Sequence, residues 1–117
     1  MSTVTTEAEQ KLTVLKAIDE MIDFMNERTA SIWGSEYTKP YTYQLEGGRK
    51  YLKVSMNGAG GGRSVHCFVD SMTGDVYKPA SWKAPMLNGA RYNILDEAGF
   101  ELFKKRFDWA GSYLYKR

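Results

Sequence analysis

The apolar residues of this chain change their spacing once, and that change constrains the fold more than any other feature of the sequence. Ala8, Leu12, Leu15, Ile18, Ile22 and Met25 recur at steps of three and four, which places them on one stripe of an α-helix with Asp19, Glu20, Asp23 and Glu27 largely off it. Thr6 stands three residues before Glu9, the spacing of a capping box, so the helix is expected to run from about Glu7 to about Arg28. Residues 29–40 mix Ser, Gly, Thr and Pro with Ile32 and Trp33 and read as a connection from helix to sheet.

From Tyr41 the step becomes two. Tyr41, Tyr43 and Leu45 alternate with Thr42 and Gln44; after a turn at Glu46-Gly47-Gly48-Arg49, Leu52, Val54 and Met56 alternate with Tyr51, Lys53 and Ser55. Beyond the glycine-rich stretch Asn57 to Gly62, Val65, Cys67 and Val69 alternate with Ser64, His66, Phe68 and Asp70. A turn at Thr73-Gly74-Asp75 then leads into a short strand, Val76-Tyr77-Lys78, which Pro79 ends. Short links between consecutive strands favour an antiparallel meander. The stretch from Ala80 to Asn93 reads as an ordered loop. Asp96 is a good N-cap for a last helix in which Phe100, Phe103, Phe107, Ala110 and Leu114 recur at three and four, with Gly99 and Gly111 weakening its ends.

At 117 residues the chain has room for one compact domain, residues 1–117, with a core that needs no disulfide or structural metal. The expected fold is α+β: an N-terminal helix packed on a four-stranded antiparallel meander sheet, with a C-terminal helix closing the edge or the second face of the sheet. No apolar run reaches the roughly 18 residues that cross a bilayer, and the N-terminus lacks the basic and apolar regions of a secretory signal, so no membrane partner and a cytoplasmic location are expected. A single cysteine fits a reducing compartment.

Several chemistries are disfavoured. His66 and Cys67 are the only residues of their kinds, and neighbours on a regular strand project to opposite faces, so they are not expected to share a metal ion or form a thiolate–imidazole pair. Gly58 to Ser64 lacks the Gly-Lys-Ser/Thr ending of a phosphate loop and the third glycine of a dinucleotide fingerprint, and it precedes a strand rather than a helix. Asp70 and Asp75 bracket a turn, which accounts for them. No catalytic residue, metal or cofactor is therefore assigned, and an enzyme is the least supported class.

The charge is uneven: residues 1–36 carry a net −4 and the remainder +6. If Leu52, Val54, Met56, Val65, Cys67 and Val69 pack on the first helix, the opposite face presents Tyr51, Lys53, Ser64, His66, Phe68 and Tyr77. Such aromatic and basic faces stack bases and meet phosphates, with Arg63 nearby. The C-terminal aromatic stripe is the expected cover for this face. A second group, Lys78, Trp82, Lys83, Arg91 and Tyr92, lies in the Pro-bounded loop and is rich in the residue types that dominate protein interfaces.

The run from Thr73 to Pro85 (TGDVYKPASWKAP), followed by Ala90-Arg91-Tyr92-Asn93-Ile94, resembles a segment of small tailed-bacteriophage proteins; the likeness covers about Tyr51 to Asp96. That group has no established activity and supplies no catalytic residues. The resemblance implies a host bacterial cytoplasm and, for a short chain without catalytic motifs, action by binding a host or viral macromolecule. The leading expectation is a non-enzymatic phage accessory protein that engages a protein partner through Trp82, Lys83, Arg91, Tyr92 and Lys78. The alternative is a binder of single-stranded nucleic acid or a nucleotide through Tyr51, Lys53, Arg63, His66, Phe68 and Tyr77. A homo-oligomeric structural protein of a virion is a third reading.

Overall fold

The computed structural model describes residues 6–33, 42–58, 62–87, 89–107 and 112–114. Helix α1 spans Glu7–Trp33. Its start is as expected: the Thr6 hydroxyl oxygen accepts from the Glu9 N–H at 3.1 Å and the same hydroxyl donates to the Glu9 carboxylate at 3.0 Å. The helix continues five residues past Arg28, because Thr29, Ala30 and Ser31 are tolerated in a helix and no Gly or Pro precedes Gly34. Its buried stripe is Val14, Ile18, Met21, Ile22, Met25 and Thr29. Ala8 and Leu12, expected on that stripe, are exposed. The reason is how the first turns are held: Gln10 Nε2 donates to the Met72 carbonyl at 2.6 Å and Lys11 Nζ to that of Gly48 at 3.2 Å, which turns positions 10, 11 and 14 to the sheet.

The sheet has five strands rather than four: β1 (Thr42–Gly47), β2 (Tyr51–Asn57), β3 (Arg63–Asp70), β4 (Asp75–Tyr77) and β5 (Tyr92–Asn93), ordered β1-β2-β3-β4-β5 with every pair antiparallel. Strand β5 falls in the stretch expected to be loop. Two residues are too few to carry a period, and the strand exists because Val76 pairs with Tyr92 and the Arg91 N–H reaches the Val76 carbonyl at 2.7 Å. Between β1 and β2 the chain turns on glycines: Gly48 has φ +139°, and a Cβ there would collide with the Tyr51 carbonyl oxygen. The strand start expected at Tyr41 and the centre of the Gly58–Gly62 connection lie outside the described residues, as does Ala110.

Two β-bulges decide which side chains share a face. In β3, Val54 pairs with Cys67 and Ser55 with Val65, which leaves His66 as the extra residue. On the N-terminal side of the bulge the alternation is inverted. Cys67 and Val69 keep the core face with Leu52, Val54, Val76 and Tyr92, but Val65 now sits across from Ser55 on the outer face, and His66 joins Cys67 on the core side. The expected separation of His66 from Cys67 is therefore corrected: a period of two holds only along an unbroken strand, and β3 carries a one-residue insertion. In β1, Glu46 is the extra residue between the pairs Leu45–Val54 and Gly47–Lys53, and its side chain points to the outer face.

Helix α2 (Glu97–Arg106) is capped by Asp96, whose Oδ2 accepts from the Gly99 N–H at 2.9 Å. It ends at Arg106, short of the expected run to Leu114, and a 3-10 turn, η1 (Ser112–Leu114), follows in the described residues. Its aromatic stripe packs on the α1 side of the sheet, not on the second face: Phe103 and Phe107 meet Phe24 edge-on at 6.5 and 5.9 Å, and Phe107 also meets Tyr43 at 5.8 Å. Both helices thus share one core, and the outer face of the sheet is left to another element.

Candidate functional site

That element is an arm formed by residues 78–86. The Met86 N–H bonds to the Lys78 carbonyl at 2.8 Å and the Ala80 N–H to that of Ala84 at 3.0 Å, with Pro79 and Pro85 paired between them. Proline has no N–H to give a sheet ladder, so the two prolines keep the arm from continuing the sheet. At the tip the Lys83 N–H bonds to Ser81 Oγ at 3.2 Å, and Trp82 reaches back to the outer face. Lys53 Nζ lies 4.1 Å from the centre of the Trp82 ring and the Arg63 guanidinium 5.6 Å from it. An ammonium over an indole face is attracted by the ring quadrupole, by about 0.5–1 kcal/mol at an exposed site. Phe68, on the same face, is only 2% exposed, whereas Trp82 remains 41% exposed.

Between the arm and the β1–β2 turn runs an open groove of about 510 Å³. Phe68 is its floor, Tyr51 and Trp82 are its aromatic walls, and Arg49, Lys50, Lys53 and Lys83 supply four cations. Lys50 Nζ stands 5.5 Å from the Tyr51 ring, and Tyr51 meets Tyr77 edge-on at 5.8 Å, which carries the aromatic surface on toward β4. Burial first, then the carboxylates of Asp75 and Asp70 and the neighbouring Tyr51, push the Tyr77 phenol up, so it stays protonated and able to donate.

One carboxylate, Glu46, also lines the groove, and it is already engaged. Its Oε2 accepts from Ser55 Oγ at 2.6 Å and Gln44 Nε2 at 2.8 Å, while Oε1 pairs with Arg63. The Arg63 hydrogen bond, followed by those of Ser55 and Gln44, holds the Glu46 carboxyl down at about 2. Glu46 therefore offsets the charge of Arg63 at the edge of the groove.

The structure divides the residues singled out in the sequence. Tyr51, Lys53, Phe68, Trp82 and Lys83 meet in the groove, Arg63 borders it beside Trp82, and Tyr77 adjoins Tyr51. Lys78 sits half-buried at the base of the arm. His66, Arg91 and Tyr92 do not reach the outer face. Tyr92 is buried on the core face and its hydroxyl donates to the Tyr113 carbonyl at 2.9 Å. Arg91 is occupied by the carbonyls of Leu114, at 2.6 Å, and Gly89. Together they hold η1 against the core. Arg49, Lys50 and the backbone of Gly47 and Gly48 were not anticipated; two cations directly after a turn glycine pair were the available signal.

His66 and Cys67 share a face, and both are buried there. The His66 Nε2 is 2.7 Å from the Tyr113 hydroxyl, and its ring packs on Tyr43 at 4.9 Å. Burial pushes the Cys67 thiol up to about 12, far from the thiolate that attacks or binds metal. No helix among the described residues is long and apolar enough to cross a membrane.

A family model described as "Family of unknown function (DUF7717)" matches residues 1–116. No curated protein and no solved structure matches the chain.

Proposed function

We propose that this chain, which belongs to the DUF7717 family of unknown function, is a non-enzymatic binding module that takes a single-stranded polynucleotide into the Trp82 groove. One observation carries the reading: three chain segments, the β1–β2 turn, the sheet and the arm, bring aromatic rings and four cations to one open channel. Single strands are held by rings that stack on bases and by Lys or Arg that meet phosphates. Tyr51 and Trp82 retain accessible surface for the first task, and Arg49, Lys50, Lys53 and Lys83 suit the second. A protein interface through the loop is less favoured, because Arg91 and Tyr92 turn inward to hold η1. The phage-like segment supplies β4 and the arm itself, and the setting that goes with it is a bacterial cytoplasm.

The test is fluorescence anisotropy with labelled single-stranded and duplex oligonucleotides across a salt series. Single strands should bind more tightly than duplex, and log K should fall with log salt by about 0.7 per phosphate neutralised, so four groove cations give a slope near −3. Lys53→Ala and Lys83→Ala should each flatten that slope by about 0.7. Trp82→Ala should weaken binding by about 5- to 160-fold, the worth of one stacked base. No binding of single strands at low salt, or equal binding of duplex, overturns the proposal.

A further inference from the structure

Arg63 stands beside Trp82 but is not part of the groove wall. The bulge at His66 sets the face it occupies. Strict alternation back from Cys67 would turn Arg63 to the core, and the inserted residue sends it outward, paired with Asn57. There it meets Glu46, which points the same way from β1. The Glu46 carboxylate is a fixed anchor: Ser55, a fully buried residue, donates from Oγ to its Oε2 at 2.6 Å, Gln44 Nε2 donates to the same oxygen at 2.8 Å, and Oε1 takes Arg63.

A chain of contacts therefore leads from the sheet to the arm: Glu46 holds Arg63, and the Arg63 guanidinium lies 5.6 Å from the centre of the Trp82 ring. Lys53 is placed differently. It lines the groove with its ammonium 4.1 Å from the same ring, and among the described residues no carboxylate pairs with it. Trp82 needs support from the sheet, because it stands 41% exposed on an arm that two prolines keep out of the ladder. We propose that the Glu46–Arg63 pair positions the Trp82 ring for stacking without itself meeting the strand, while Lys53 is the cation beside the ring that does; this rests on the reading of the groove given above. A ring held in place before the strand arrives leaves less to be ordered on binding.

Charge and positioning predict opposite signs for the same substitution. Removing a carboxylate from a cationic groove tightens the hold on a polyanion if charge alone matters. Glu46→Gln should instead weaken binding of a labelled oligothymidylate by about 2- to 5-fold, the worth of one exposed contact between a cation and a ring. Glu46→Gln combined with Arg63→Gln keeps the net charge; it should lose about the same 2- to 5-fold factor and retain the wild-type salt slope, because no phosphate contact has gone. A second measurement needs no nucleic acid. Protons above an aromatic ring resonate upfield, so the Lys53 ε-methylene signal of the free protein should be displaced by Trp82, and the displacement should vanish in Trp82→Leu. In Glu46→Gln and in the double variant the signal should move back toward the ordinary lysine position, with circular dichroism confirming that each is folded. Tighter or unchanged binding by Glu46→Gln, wild-type affinity or a flattened slope in the double variant, or a Lys53 signal that neither variant moves would each overturn the proposal. If the wild-type chain binds no strand, the reading of the groove falls, and the Lys53 signal still decides whether the pair holds the ring.

Discussion

Asn26 and Tyr43 are joined by two hydrogen bonds: the Tyr43 N–H donates to Asn26 Oδ1 at 2.8 Å, and Asn26 Nδ2 donates to the Tyr43 carbonyl at 3.2 Å. The side-chain amide of α1 thereby stands in for a sixth strand on the outer edge of β1. An edge strand otherwise presents unpaired donors and acceptors to other chains. Asn26→Ala leaves both Tyr43 groups without this partner, at a cost of about 1–3 kcal/mol. The urea midpoint should drop with little change in slope. Asn26→Asp keeps the acceptor and loses the donor, so its midpoint should fall between the two. A wild-type midpoint for Asn26→Ala would mean that the bridge contributes nothing to stability.

Gly99 sits inside α2, where glycine is ordinarily about 1 kcal/mol worse than alanine. Here the preference reverses. A Cβ would lie 2.5 Å from the Asn93 carbonyl oxygen and 3.2 Å from the Asp96 carboxylate that caps the helix. Gly99→Ala is expected to destabilise the fold by about 1–3 kcal/mol, the usual range for an overpacked site, despite its better helix propensity. Thermal unfolding decides between the signs, and a raised midpoint would show that Asn93 yields.

Cys67 is fully enclosed and its thiol is pushed up to about 12 by that burial. A disulfide reagent at mildly alkaline pH should leave it unmodified in the folded protein and label it fully in denaturant. Because reaction requires opening, the native labelling rate should report the unfolding equilibrium and fall as stabilising salt is added. Prompt labelling of the native chain would contradict the enclosed position.

Glu46 titrates far below its ordinary value of 4.5, at about 2, chiefly through Arg63. A carboxyl held down in the folded state stabilises that state above its unfolded value. The contribution disappears as pH falls toward the folded value. Glu46→Gln should therefore be less stable than wild type at neutral pH, and the difference should shrink between pH 4.5 and about 2. Denaturation midpoints of the two proteins across that window measure it; a gap that stays constant with pH would remove Glu46 as its source.

Much of this architecture was legible in the chain because it rests on contacts between residues close in sequence. Thr6 with Glu9 and Asp96 with Gly99 are separated by three residues, and both caps formed as their spacing indicated. Alternation placed Leu52, Val54, Cys67 and Val69 on the core face and Lys53 and Phe68 on the other, because a strand has a period of two wherever its ladder is unbroken. The reading failed from His66 back to Ser64 for the same reason. One extra residue inverts every position beyond it, and residue types carry no mark of the insertion.

By itself, then, the sequence determined the kinds of element, their order and most of their faces, since helical and extended periods are properties of a single segment. Tertiary structure alone decided that α2 joins α1 on one side of the sheet, that β5 exists, and that the arm carries Trp82 onto Lys53 and Arg63. Each of these depends on surfaces brought together from distant parts of the chain, where the packing of one element sets what its neighbour can bury. The groove is a product of that second kind: its cations and rings are scattered from Arg49 to Lys83, and only the folded sheet gives them a common wall.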